Sequence, residues 1–178
     1  MAKFEIKDGI AIIPEGTGEI PNNAFFGCSS LTTVIIPESV TNIGSRAFSD
    51  CSSLTSVVIP ECIKRIGSFA FYGCSSLTSV VIPNSVKTIG NNAFDGCASL
   101  TSIVISEGVE SIKGRAFFGC SSLTSIFIPK SVTSIGEAVF GGCTSLTSII
   151  VEDGNPIFDS RDNCNAIIET ATKTLIKG

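Results

Sequence analysis

Cys28, Cys51, Cys74, Cys97, Cys120 and Cys143 follow one another at a constant interval of 23 residues. Leu31, Leu54, Leu77, Leu100, Leu123 and Leu146 keep the same interval, and so do Phe25, Phe48, Phe71, Phe94, Phe117 and Phe140. Three ladders in one register are not a property of an ordinary globule. A fixed period of about 20–50 residues marks a chain built from stacked units. One such unit cannot bury its own apolar side, and neighbours on either side must supply the contacts it lacks.

A single unit reads Leu54-Thr55-Ser56-Val57-Val58-Ile59-Pro60, then Cys62-Ile63, Ile66-Gly67 and Ala70-Phe71, closing on Cys74. Leu54 to Ile59 is short and rich in β-branched residues, which predicts a strand. Alternation places Val57 and Ile59 on one face, with Ser56 and Val58 on the other. Pro60 lacks an N–H and should end the strand. Pro14, Pro37, Pro83 and Pro129 stand at equivalent positions, replaced by Ser106 and Glu152 in two units. Ile63 to Gly67 reads as a second, shorter strand turned by glycine. Ala70-Phe71 is expected to turn the corner in a tight helical or 3₁₀ step. The Leu, Val/Ile, Phe and Cys ladders form the expected interior, with six phenylalanine rings stacked one above another.

The ends depart from the lattice. Phe4 to Lys7, the turn pair Asp8-Gly9 and Ile10 to Ile13 predict an N-terminal hairpin joined to an incomplete coil. The pattern fails after Val151, and Ala166-Ile167-Ile168 with Thr174-Leu175-Ile176 predict a closing hairpin. One domain over 1–178 is expected: cap and partial coil at 1–30, repeats at 31–151, and a C-terminal cap at 152–178. Solenoids need such caps to stay soluble.

The pattern Cys51-x-x-Leu54-x-x-Val57-x-Ile59-Pro60, followed by Ile66-Gly67-x-x-Ala70-Phe71-x-x-Cys74, resembles the BspA-like, or Treponema pallidum-type, leucine-rich repeat family. The resemblance covers roughly residues 13–151. The segment from Gly154 to Glu169 is similar to one that accompanies these repeats in gut Bacteroides-type proteins. Repeat and resemblance agree on a β-rich leucine-rich-repeat solenoid of about six 23-residue coils, with a parallel sheet on one face and hairpin caps at both ends. The resemblance also implies a non-enzymatic module for adhesion or protein binding, often on a bacterial surface.

Composition narrows the chemistry. Histidine is absent, which removes imidazole as base, shuttle or metal ligand. Twelve basic residues against 16 acidic ones give a net charge of −4, the wrong sign for nucleic acid. No apolar run reaches the roughly 18–20 residues of a membrane-spanning helix, so no membrane insertion is expected. Met1 to Gly9 carries no export signal, which points to the cytoplasm for the chain as it stands, or to a secreted or cell-surface protein if a leader was removed. The cysteines show no C-x₂-C pair, and their stacked side chains point in parallel rather than toward one centre. They read as buried hydrophobes, with no metal and no cofactor implied. Cys62 and Cys164 lie off the ladder and are expected to be exposed, modifiable thiols.

The candidate binding residues are Ile35, Val58, Val81, Val104, Phe127 and Ile150, on the strand position opposite the core. Thr33, Ser56, Ser79, Ser102, Ser125 and Ser148 run beside them. Two readings stand side by side. β-branched residues suit any pleated face, and an apolar stripe beside hydroxyls suits a contact with a partner protein. A second copy in a homo-oligomer and a glycan are the alternative occupants. Thr32, Thr55, Thr78, Thr101, Thr124 and Thr147 form a ladder expected to satisfy backbone groups at turns. Asp153, Asp159 and Asp162, with Asn155, Asn163 and Asn165, read as polar turns rather than a calcium site. Glu38, Glu61, Asn84, Glu107 and Lys130 vary at equivalent surface positions over a constant interior.

Overall fold

A computed structural model describes residues 4–160 and 166–177. The main face is a sheet whose strands come one from each coil: Ile10–Ile12, Thr33–Ile35, Ser56–Val57, Ser79–Ile82 and Ser102–Ile105. All of these pair in parallel and in register, so that Ser79 lies beside Ser102 and Val81 beside Val104. A second, narrower sheet faces away from it, built from Glu19–Ile20, Asn42–Ile43, Arg65–Ile66, Thr88–Ile89, Ser111–Ile112 and Ser134–Ile135. The chain is a β-solenoid, and residues 23 apart lie on top of one another.

The alternating pattern dictates which side chains go inside. In Ser79–Ile82 the burial runs exposed, buried, exposed, buried, with Val80 and Ile82 in the core. The strands Ile10–Ile12, Thr33–Ile35, Ser56–Val57 and Ser79–Ile82 stop before a proline, which has no N–H to donate onward, and Ser102–Ile105 ends at the same register before Ser106. The hairpins also form. Ile6–Lys7 pairs antiparallel with Ile10–Ile12 across Asp8 and Gly9, both at positive φ. At the other end Ile167–Glu169 pairs antiparallel with Thr174–Lys177, and with Phe158–Asp159 on its other side.

The corner differs from the expected helical or 3₁₀ step: it is a run of turns, and the hydrogen bonding gives the reason. Alternate N–H groups leave the coil altogether. Phe25, Phe48, Phe71 and Phe94 donate to the carbonyls of Ala47, Ala70, Ala93 and Ala116 in the next coil at 2.7–2.8 Å. Only the groups between them close local turns, such as Ala24 to Pro21 and Phe26 to Asn23. A helix needs consecutive local bonds. Arg46, Phe69, Asn92 and Arg115 moreover sit at φ of 54–59°, in the left-handed region.

Inside, the phenylalanine rings form one column. Successive centroids from Phe25 to Phe94 are 5.1–5.2 Å apart and the rings lie within 9° of parallel. Phe4 of the N-terminal hairpin adds a seventh ring 5.5 Å from Phe25, a contact off the 23-residue period. The coils approach closely beside the second sheet. A Cβ on Gly67 would meet the backbone of Gly44 and Ser45 at 2.7 Å, and one on Gly90 would meet Gly67 at 2.6 Å. The next coil carries Lys113 at this position. On either side of that coil the ring spacing widens, to 5.6 Å between Phe94 and Phe117 and 5.8 Å between Phe117 and Phe140. The main sheet divides there as well: Ser125–Ile128 pairs with Ser148–Val151 as a separate two-stranded sheet. The widest ring gap and the break in the main sheet thus fall at the same interface, between the coil of Phe117 and that of Phe140.

Candidate interaction surface

The outward side chains of the main sheet form parallel rows. Ile35, Val58, Val81, Val104, Phe127 and Ile150 are between 48% and 79% exposed. In-register pairing makes neighbours of Ile12 and Ile35, of Val81 and Val104, and of Phe127 and Ile150, and the 23-residue repeat continues the row through Val58 and across the break after Val104. Ile12, 64% exposed and paired with Ile35, extends the row to seven. Its spacing of 23 from Ile35 was the available signal, hidden because the first coil lacks the full motif. Ser56, Ser79, Ser102 and Ser125 form the adjoining row and are all exposed; Thr33 and Ser148 at its ends are half-buried. The structure therefore brings the predicted residues together on one face. Val58 is the most prominent, at 79%. A depression beside it is lined by Glu38, Ser56, Val58, Glu61, Ser79 and Val81.

The threonine ladder is committed to the fold. The Thr55 hydroxyl donates to the Thr32 carbonyl at 3.2 Å, Thr78 to Thr55 at 3.3 Å and Thr101 to Thr78 at 3.1 Å. These three hydroxyls, with those of Thr32 and Thr147, each donate to a carbonyl in the coil before, and the same donor cannot also hold a ligand. Asn155 is occupied in the same way. Its Oδ1 accepts from the N–H groups of Ile157 and Phe158, and its Nδ2 donates to the carbonyls of Pro129 and Val132. Asp162, Asn163 and Asn165 lie outside the described residues.

A second patch, on the corner, went unnoticed in the sequence. Phe26 and Tyr72 are exposed there. The Arg46 guanidinium sits 5.2 Å from the centre of the Phe69 ring, and that of Arg115 sits 4.7 Å from Phe118. Tyr72 meets Phe69 edge-on at 5.8 Å. These groups partner one another, whereas the main-face row has no intramolecular cover.

The ladder cysteines have a structural task. The Sγ of Cys51, Cys74, Cys97, Cys120 and Cys143 each donates at 3.1–3.2 Å to a carbonyl of the preceding coil: Phe25, Phe48, Phe71, Phe94 and Phe117 in turn. All five are buried, while Cys28 at the end is half-buried. Burial pushes the Cys51 thiol up to about 12 and raises Cys74, Cys97 and Cys120 further. Nucleophilic chemistry needs the thiolate, which these sites oppose. Cys62 differs from the expected exposed thiol: it is half-buried and its Sγ donates to the Val40 carbonyl at 2.9 Å. Its thiol is also raised, by burial first and then by Glu38. Cys164 lies outside the described residues. With a thiol reagent near pH 8 the five buried ladder cysteines are expected to stay unmodified until denaturant is added. Their prompt reaction in native protein contradicts the buried placement.

No helix among the described residues is long and apolar enough to cross a membrane. No curated protein matches the chain. Among solved structures, it is similar to a leucine-rich cell surface protein of Faecalibacterium prausnitzii, at 34% identity and a TM-score of 0.84 over 95% of this chain. It spans 45% of the length of that protein. The leucine-rich repeat protein of T. pallidum matches at 28% identity and a TM-score of 0.61, over 77% of each chain. The pneumococcal vaccine antigen PcpA shares the fold, at 23% identity and a TM-score of 0.63, over 97% of this chain and 52% of its own. The model of the BspA type leucine rich repeat region, in six copies, matches residues 9–120 and 64–161. With its coils, its ladders and these matches in agreement, the chain belongs to the BspA-type leucine-rich repeat family.

Proposed function

We propose that this solenoid is a non-enzymatic, adhesion-type recognition module that binds a partner protein through its main sheet face. The observation that carries this reading is the uncovered row of seven apolar side chains, in register beside exposed hydroxyls. Scattered apolar residues are normal on a protein surface, but a contiguous row rimmed by polar groups is what an interface core requires. Similarity to a cell surface protein of F. prausnitzii supports a place outside the cell. A repeat scaffold suits such a role, since its interior is constant while its surface positions vary from coil to coil.

The double substitution Val81→Asp and Val104→Asp tests it. Both side chains are half-exposed, so each change should cost less than about 1 kcal/mol of stability. Proteins captured from host extracellular matrix by the wild type are expected to be lost by the variant, while melting temperature and oligomeric state are kept. Capture of the same proteins by both forms sinks the proposal.

A further inference from the structure

Beside the apolar row runs a second row, this one of charge. Positions 15, 38, 61, 84, 107, 130 and 153 are each 23 apart, just past the end of a main strand. They carry Glu15, Glu38, Glu61, Glu107 and Asp153, with Asn84 and Lys130 at the other two, and all seven are exposed. The one cation is already neutralised. Lys130 Nζ lies 3.3 Å from Glu152 Oε1, and its backbone N–H donates to Glu152 Oε2 at 2.8 Å. On the other flank of the apolar row stand six hydroxyls, from Thr33 to Ser148, and Ile10 in the first coil. Most basic residues gather elsewhere: Arg65 belongs to the second sheet, and Lys64, Lys87 and Lys113 flank its strands, while Lys7 of the N-terminal hairpin stands at the edge of the main sheet beside Ile10.

Building on the reading of this face as a binding surface, we propose that its occupant is a basic amphipathic α-helix of the partner protein, laid along the solenoid axis. Three features fit this chemistry. Coils repeat about every 4.8 Å and helix turns about every 5.4 Å, so a helix slips by only about 0.6 Å per coil and keeps near register over three or four coils at a time. A strand laid the same way presents same-side residues roughly 6.8 Å apart and falls out of step. Seven coils extend over about 29 Å, the length of a helix of about 20 residues. An apolar stripe on the helix would cover the apolar row, and Lys or Arg on its flank would reach the carboxylates. The hydroxyl side imposes no charge from Thr33 to Ser148 and carries a single cation, Lys7, at its N-terminal edge. An acidic segment would meet the carboxylate row as like charge, which disfavours association.

The test is fluorescence anisotropy with a labelled Leu/Lys heptad peptide of about 20 residues, against the same peptide with Glu in place of Lys. The Lys peptide is expected to bind and the Glu peptide not. Replacing Glu38, Glu61 and Glu107 with Gln should weaken the Lys peptide by about tenfold or more. Asp95→Asn on the corner, combined with Glu110→Gln and Glu137→Gln away from this face, should weaken it by no more than about threefold. Equal weakening by the two triple variants, or equal binding of the two peptides, overturns the proposal. So does self-association of the wild type that the Glu38/Glu61/Glu107 variant abolishes, because the carboxylates would then serve a second copy. Val81→Ser with Val104→Ser separates the two levels. If this pair leaves Lys-peptide binding unchanged, the sheet face itself is not the surface. If the pair weakens binding while the carboxylate variant does not, only the basic helix is lost.

Discussion

Phe94→Ala is expected to lower the unfolding free energy by about 3–5 kcal/mol, read from guanidinium denaturation. The ring is fully buried inside the column, 5.1 Å from Phe71 and 5.6 Å from Phe117. Truncation removes stacking contacts above and below at once. The gap cannot easily close, because the flanking coils are pinned by N–H groups donated from one coil to the next on both sides of the ring. Core truncations cost most where the surroundings cannot relax into the cavity. Phe4 stacks at the open end of the same column and is only partly buried, so Phe4→Ala should cost clearly less. A loss under about 1 kcal/mol at Phe94 contradicts the interior column.

Stability should also collapse at alkaline pH. Burial, and then the neighbouring cysteines of the ladder, raise the thiols of Cys51, Cys74, Cys97 and Cys120 above their ordinary value of 9.0, Cys51 to about 12. Below pH 9 both folded and unfolded chains keep these protons, and the stabilisation is complete. As the pH rises above 9 the unfolded chain gives up thiol protons that the folded chain retains, which favours unfolding up to about pH 12 at Cys51 and beyond it at the other three. The slope is about 1.4 kcal/mol per thiol per pH unit. Four thiols acting together exhaust a stability of roughly 5–15 kcal/mol within a few pH units. Denaturation series at pH 7.5 and 10.5 measure the effect, and Cys97→Ala should flatten the dependence. A pH-independent midpoint across that interval contradicts the raised thiols.

The repeat architecture was legible because one physical requirement acts identically on every coil. Phe71 stacks on Phe48 and Phe94, and Leu54 and Cys74 meet the same buried surroundings in every coil, so the same residue type suits every level. The main strands and both hairpins followed from alternation and turn chemistry for the same reason. The corner was harder to read. Ala70-Phe71 looks like a helical turn locally, but alternate N–H groups bond across coils, and no single coil shows that. The bond from each cysteine to a phenylalanine carbonyl 26 residues earlier was equally invisible, since it crosses the 23-residue register. On the candidate surface, the six predicted positions are exposed as one row because strand alternation decides which way they point. Ile12 escaped notice, as did the Arg46–Phe69 and Arg115–Phe118 contacts, whose positions change residue type from coil to coil and leave no ladder to see.

The break in the main sheet between Ser102–Ile105 and Ser125–Ile128 has a mechanical consequence. In a stack whose stability is a sum of nearest-neighbour interfaces, the weakest interface decides where the molecule comes apart. The divided sheet and widened ring spacing mark that seam beside Ser102–Ile105. Under load or heat the rod should part there, releasing its C-terminal coils as one block while the N-terminal block stays folded.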